Sequence, residues 1–147
     1  RNMPKGRMMN FGVVVNVQFL EGCMDRINSI LHSRELASGE IELLRHILSH
    51  VAPERLQELH RLKVIGRCSC GQCPTVIFGT SREQALSTLA PKEVANYTGV
   101  NGQGIEVGLS VLVRADALSE MEVWSLDGAP VRSLPTLESL MLVPATA

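Results

Sequence analysis

The stretch Arg67-Cys68-Ser69-Cys70-Gly71-Gln72-Cys73-Pro74 divides this chain of 147 residues into parts of different hydrophobic period. Upstream, apolar residues recur mostly at helical spacing; downstream they alternate or run continuously. On either side lie short apolar runs, 62–65 and 75–78. Two extended runs joined by a short glycine-containing segment predict a β-hairpin with the cysteines at its tip. A chain bound to such a hairpin is committed to a sheet, and the helical part must pack against it.

The helical part is read from its stripes. Ser38-Gly39 opens a helix with Glu40 and Glu42 in its first turn, where acids suit the dipole, and Ile41, Leu44, Ile47, Leu48 and Val51 form its buried face. Ala52-Pro53 ends it, and Pro53 opens a further helix marked by Leu56, Leu59 and Leu62. Before these, Phe11, Val13, Val15, Val17 and Phe19 alternate as a strand. A helix over about 20–32 then follows, with Cys23 inside its apolar stripe. Residues 1–8 read as an upstream remnant or a disordered lead, with a native start at Met8 or Met9, and 9–147 as one α+β domain.

Downstream, 81–89 reads as a surface helix, and Gly99, Gly102 and Gly104 as a permissive loop. Ile105, Val107, Leu109, Val111 and Val113 alternate with Glu106, Gly108, Ser110, Leu112 and Arg114 in the clearest strand. A turn over 115–119 leads to a strand over 120–126, Asp127-Gly128 marks a tight turn, and 131–134 returns as a short edge strand limited by Pro130 and Pro135. The order predicts an α+β fold: two or three N-terminal helices packed on a mostly antiparallel sheet of four to five strands.

Composition narrows the function classes. Aromatics are 3% of the chain, so the core is aliphatic and the stacking platforms of a single-stranded nucleic-acid binder are missing. No apolar run approaches about 18 residues, so no membrane span is expected. The cytoplasm is the expected compartment, where cysteines are reduced, metal-bound or catalytic. From Ile105 onward six acids face two arginines, a balance that repels phosphate and attracts basic proteins or simply solvates a strand face. Glu120, Glu122 and Trp124 fall on one strand face with Asp127 just beyond, and this acidic face is the candidate partner-binding surface.

The cysteines allow two chemistries. Cys68, Cys70 and Cys73 give C-x-C-x-x-C, tight enough for three thiolates to converge on zinc, with Cys23 or His60 folding back as a fourth ligand. No second distant pair completes a zinc signature, and a compact turn of small residues accounts for the same spacing. Cys70-Gly71-Gln72-Cys73 is also C-x-x-C, but Pro74 and a β-branched run follow where a thioredoxin-like site needs a helix. His46 and His50 share a helix at i, i+4 without the glutamate of H-E-x-x-H, and both lie off the apolar stripe. No G-x-S-x-G occurs, and the glycines at 99, 102 and 104 lack the Lys-Ser/Thr of a phosphate loop.

The run Leu118-Ser119-Glu120-Met121-Glu122-Val123-Trp124-Ser125-Leu126-Asp127-Gly128-Ala129-Pro130, ending at Leu134-Pro135, resembles the tail of small uncharacterised bacterial proteins. In those, a strand of type L-S-x-L-E-V precedes D-G-x-P and L-P, after a helical N-terminal half and a hairpin. Met121 stands where leucine is usual, and the C-x-C-G-x-C-P tip lies outside the shared pattern. Some of these proteins are similar to immunity proteins that neutralise toxins, or travel as gene-cassette cargo on mobile elements. The resemblance implies a non-enzymatic binding protein with a protein partner, a basic one given the acidic face. Zinc at the cysteines is the one cofactor left open, and the aliphatic Leu112 and Leu126 leave a homodimer open as well.

Overall fold

The computed structural model describes residues 33–68, 70–79 and 89–144. The strand expected over 11–19, the helices over 20–32 and 81–89, and Cys23 all lie outside the described residues, save Leu89.

Helix α1 (Ser38–Val51) starts where expected. One donor at its N-terminus, the Ala37 N–H, is met by Glu40, whose Oε1 accepts it at 2.8 Å. The same carboxylate takes two bonds from Arg34, at 3.0 and 2.9 Å. Arg34 in turn exchanges backbone bonds with Val64, so the helix entry is fastened to the first strand. Leu43, Leu44, Ile47 and Leu48 are buried, and truncating any one to alanine should cost about 2–5 kcal/mol. Pro53 stops the helix, having no N–H to offer it. The helix expected next is a 3-10 helix, Pro53–Arg61, with no fully buried residue; its Leu56 and Leu59 rest half-buried on the core.

Six strands follow: β1 (Lys63–Arg67), β2 (Val76–Gly79), β3 (Lys92–Val100), β4 (Glu106–Arg114), β5 (Ala117–Ser125) and β6 (Met141–Leu142). They form one antiparallel sheet in the order β1-β2-β5-β4-β3-β6. The α+β class is therefore correct, with six described strands in place of four to five. One α-helix and the 3-10 helix pack on a single face, over Val64, Phe78, Tyr97, Leu109, Val111, Leu118 and Met121.

Three local expectations need correction. Lys92–Val100 is a strand, so Gly99 lies inside the sheet and only the segment from Asn101 to Ile105 turns. The chain packs closely against Gly99: a Cβ would meet Pro135 Cβ and Ser139 Oγ at 3.0 Å, so a side chain there would push these neighbours back. The β4–β5 connection is two residues, Ala115 and Asp116, both at positive φ (53° and 59°), the geometry of a type I′ hairpin turn. Residues 131–134 form no strand; the chain bridges to Asn101 through Pro135, makes a turn at Leu137–Ser139, and pairs only at β6. The prolines at 130 and 135 remove the donors a longer ladder needs.

Candidate metal centre at the hairpin tip

β1 and β2 pair from Lys63↔Gly79 to Arg67↔Val76, with Ile65 displaced as a bulge, and the cysteines lie in the loop beyond that last pair. The Cys68 carbonyl accepts the Gly71 N–H at 3.0 Å, closing a turn that brings the chain back on itself. Gly71 takes φ +75°, a conformation that costs side-chain-bearing residues about 1–2 kcal/mol. Past the turn, the N–H groups of Gln72 and Cys73 both point at Cys70 Sγ, at 3.4 and 3.3 Å. The result gathers the Sγ atoms of Cys68, Cys70 and Cys73 within 4.8 Å of one another. None of the three forms a disulfide.

The electrostatics of the three thiols diverge. The two backbone N–H donors, with Cys73 the stronger, lower the Cys70 thiol to about 7. Burial pushes the Cys68 thiol up to about 12, reinforced by its sulfur neighbours. The backbone thus favours the thiolate at Cys70, while burial and the neighbouring sulfurs disfavour it at Cys68. Tetrahedral zinc with Zn–S bonds of about 2.3 Å holds its sulfurs about 3.8 Å apart, a spacing compatible with three sulfurs that lie within 4.8 Å of one another. The donor set fits a thiophilic ion and no oxygen-preferring one.

Of the two candidates for a fourth ligand, Cys23 lies outside the described residues and His60 stands apart from this group. His60 is exposed in the 3-10 helix, before β1, whereas the cysteines follow β1; five strand residues, about 17 Å of extended chain, lie between. His46 and His50 remain on the outer side of α1, their rings 4.7 Å apart, with His50 Nδ1 bonded to the His46 carbonyl.

The expected acidic face is built differently from the reading of the sequence. Glu120 is fully buried and bonded to Arg114 Nη2 at 3.0 Å, so it offers nothing to a partner. Glu122 is half-buried, and burial, then the charges of Glu120 and Glu93, raise its carboxyl above the usual range. Glu93 is occupied by the Ser110 hydroxyl, which donates to it at 2.7 Å. Asp127 is exposed but serves its own turn, accepting from Ser125 Oγ at 2.7 Å and Ala129 N–H at 2.9 Å, bonds that lower its carboxyl. Of the four residues, Trp124 alone presents a large apolar surface, 40% exposed beside Leu126.

Sequence reasoning missed Arg114 as the partner of Glu120: a two-residue turn alone would set Ser119 opposite Leu112, and the register shift after Val113↔Leu118 is what brings Glu120 there, on Arg114's side. It also missed the two backbone N–H groups that prepare Cys70; the glycine after Cys70 is their only signal in the sequence. A polar groove of about 530 Å³ beside the 3-10 helix was missed too. There Arg55 is held by Glu58 at 2.7 Å and Asp116 at 2.8 Å, which pins the β4–β5 turn. Among the described residues no helix is long and apolar enough to cross a membrane. The chain matches no protein-family profile, no curated protein and no solved structure.

Proposed function

We propose that this protein is a non-enzymatic metal-binding domain that holds one zinc ion through Cys68, Cys70 and Cys73. The observation that carries this reading is the convergence of three sulfurs on a turn whose backbone already favours a thiolate at Cys70. A divalent cation would offset the repulsion that keeps neighbouring thiols protonated, so binding and ionisation support each other. Elemental mass spectrometry of protein purified without chelator, with thiol titration alongside, tests it. About one zinc per chain, lost in Cys70→Ser, is expected, with the cysteine thiols unreactive until denaturation. Metal-free protein whose thiols react freely under zinc-replete conditions would reject it.

A second reading keeps the partner-binding role that the C-terminal likeness implies, immunity-like or accessory to a mobile element. It is favoured by the exposed Trp124 and Leu126 beside the carboxylate of Asp127, a patch suited to a basic protein. A partner retained by the wild type and lost from Trp124→Ala would support it; equal retention by both would count against it.

A further inference from the structure

We infer that the zinc centre is open: its fourth coordination position faces solvent and takes a low-molecular-weight thiol, making the hairpin tip a site of metal exchange. This rests on the zinc reading above and goes beyond it by naming the fourth ligand. Three features of the tip carry it.

The donor group among the described residues contains three sulfurs and no histidine or carboxylate. Closed structural zinc sites use four protein ligands, whereas sites with three keep a place for water or substrate. The tip is also accessible on one side. Cys70, Gly71 and Gln72 are exposed, and a Cβ built at Gly71 meets nothing within 4 Å, so among the described residues no side chain closes that side. Lastly, the loop itself brings no carboxylate: from Arg67 to Val76 the only ionisable residue besides the cysteines is Arg67, whose cation partly offsets the negative charge of the thiolates.

The exchange step balances without any oxidant. A thiol RSH replaces water on zinc: the Zn–O bond breaks, a Zn–S bond forms, water leaves and the thiol proton passes to solvent. The centre goes from a net charge of −1, with three thiolates and water, to −2 with four thiolates, and the released proton balances the change. Zinc remains divalent throughout. A fourth thiolate from outside the chain is also the first step by which zinc could pass to another thiol carrier.

X-ray absorption at the zinc edge of the zinc-loaded full chain tests this. In thiol-free buffer the expected shell is three sulfurs and one oxygen or nitrogen; added 2-mercaptoethanol should convert it to four sulfurs. Cys23→Ser should give the same two spectra. Four sulfurs before any thiol is added would overturn the inference, and their fall to three in Cys23→Ser would identify the closing ligand. Three sulfurs that stay three after thiol addition would overturn it equally. A chain that takes up no zinc fails the earlier reading, and this one with it, a result distinct from either spectrum.

Discussion

A Cβ at Gly108 would stand 2.3 Å from Cζ2 of Trp124, because the indole lies across the glycine on the neighbouring strand. Gly108→Ala must therefore push the ring outward or open the β4–β5 pair. The expected cost is about 1–3 kcal/mol in denaturant unfolding, with a red-shifted emission from the chain's single tryptophan. Unchanged stability and emission would show that the ring does not rest there. Nothing in the sequence linked these two residues, since glycine in an alternating strand reads only as a gap. Glu122 shows the same limit for charge. Its composition suggested a solvated face, but its carboxyl is raised by burial first and by Glu120 and Glu93 after. A raised carboxyl favours the protonated native state, so ionising Glu122 weakens folding as pH climbs through its folded value. Below the unfolded value, about 4.3, both states are protonated and the penalty vanishes. Glu122→Gln should accordingly raise Tm near pH 8 and leave it unchanged near pH 3.5; a gain that is constant with pH would refute the burial cause.

Among elements, the β4–β5 turn is short but strained. Ala115 sits at φ 53° with no side-chain polar group to compensate, a placement that glycine or asparagine takes more easily. Ala115→Gly should stabilise the protein by about 1 kcal/mol, read from the denaturation midpoint at constant slope; Asp116 is best left alone because Arg55 binds it. The sequence placed both strands flanking this turn and mislaid the turn, since Ala-Asp carries no hairpin signature. β3 was missed for a related reason. Its inward residues are Ala95, Tyr97 and Gly99, and the displaced Val94 breaks the period, so the alternation is present in burial but faint in hydropathy. The 3-10 helix at Pro53–Arg61 repeats the lesson. Leu56 and Leu59 lie three apart, a spacing that both helix types satisfy.

At the scale of the molecule, the change of period at the cysteines was legible because backbone periodicity follows local contacts. The convergence of the thiols was legible too, since six residues cannot carry them far apart. Burial of the outer face of β4 and β5 was not legible. Ser110, Leu112, Arg114 and Glu120 are all buried, on a face whose polar residues looked solvated. Within it Arg114 pairs with Glu120 across the strands, a contact that spacing alone does not announce.

The strand order joins the cysteine hairpin to the rest of the sheet at one narrow place. β2 pairs with β5 at Val76↔Met121 and Ile77↔Glu120, extended by two bonds between the Thr75 hydroxyl and the Val123 backbone, about 45 positions apart along the chain, whereas β3, β4 and β5 pair through consecutive turns. Contacts of such long sequence separation form late, because the loop they close must be ordered first. The β3–β4–β5 meander should therefore assemble ahead of the hairpin, and the junction should be the first part of the sheet to yield. Native-state hydrogen exchange is expected to show amides of β1 and β2 opening through a cheaper, partial unfolding, while those of Leu109 and Val111 wait for the whole molecule to unfold. The cysteine loop would then ride on a leaf that lifts before its hinge gives way, able to open without the protein coming apart.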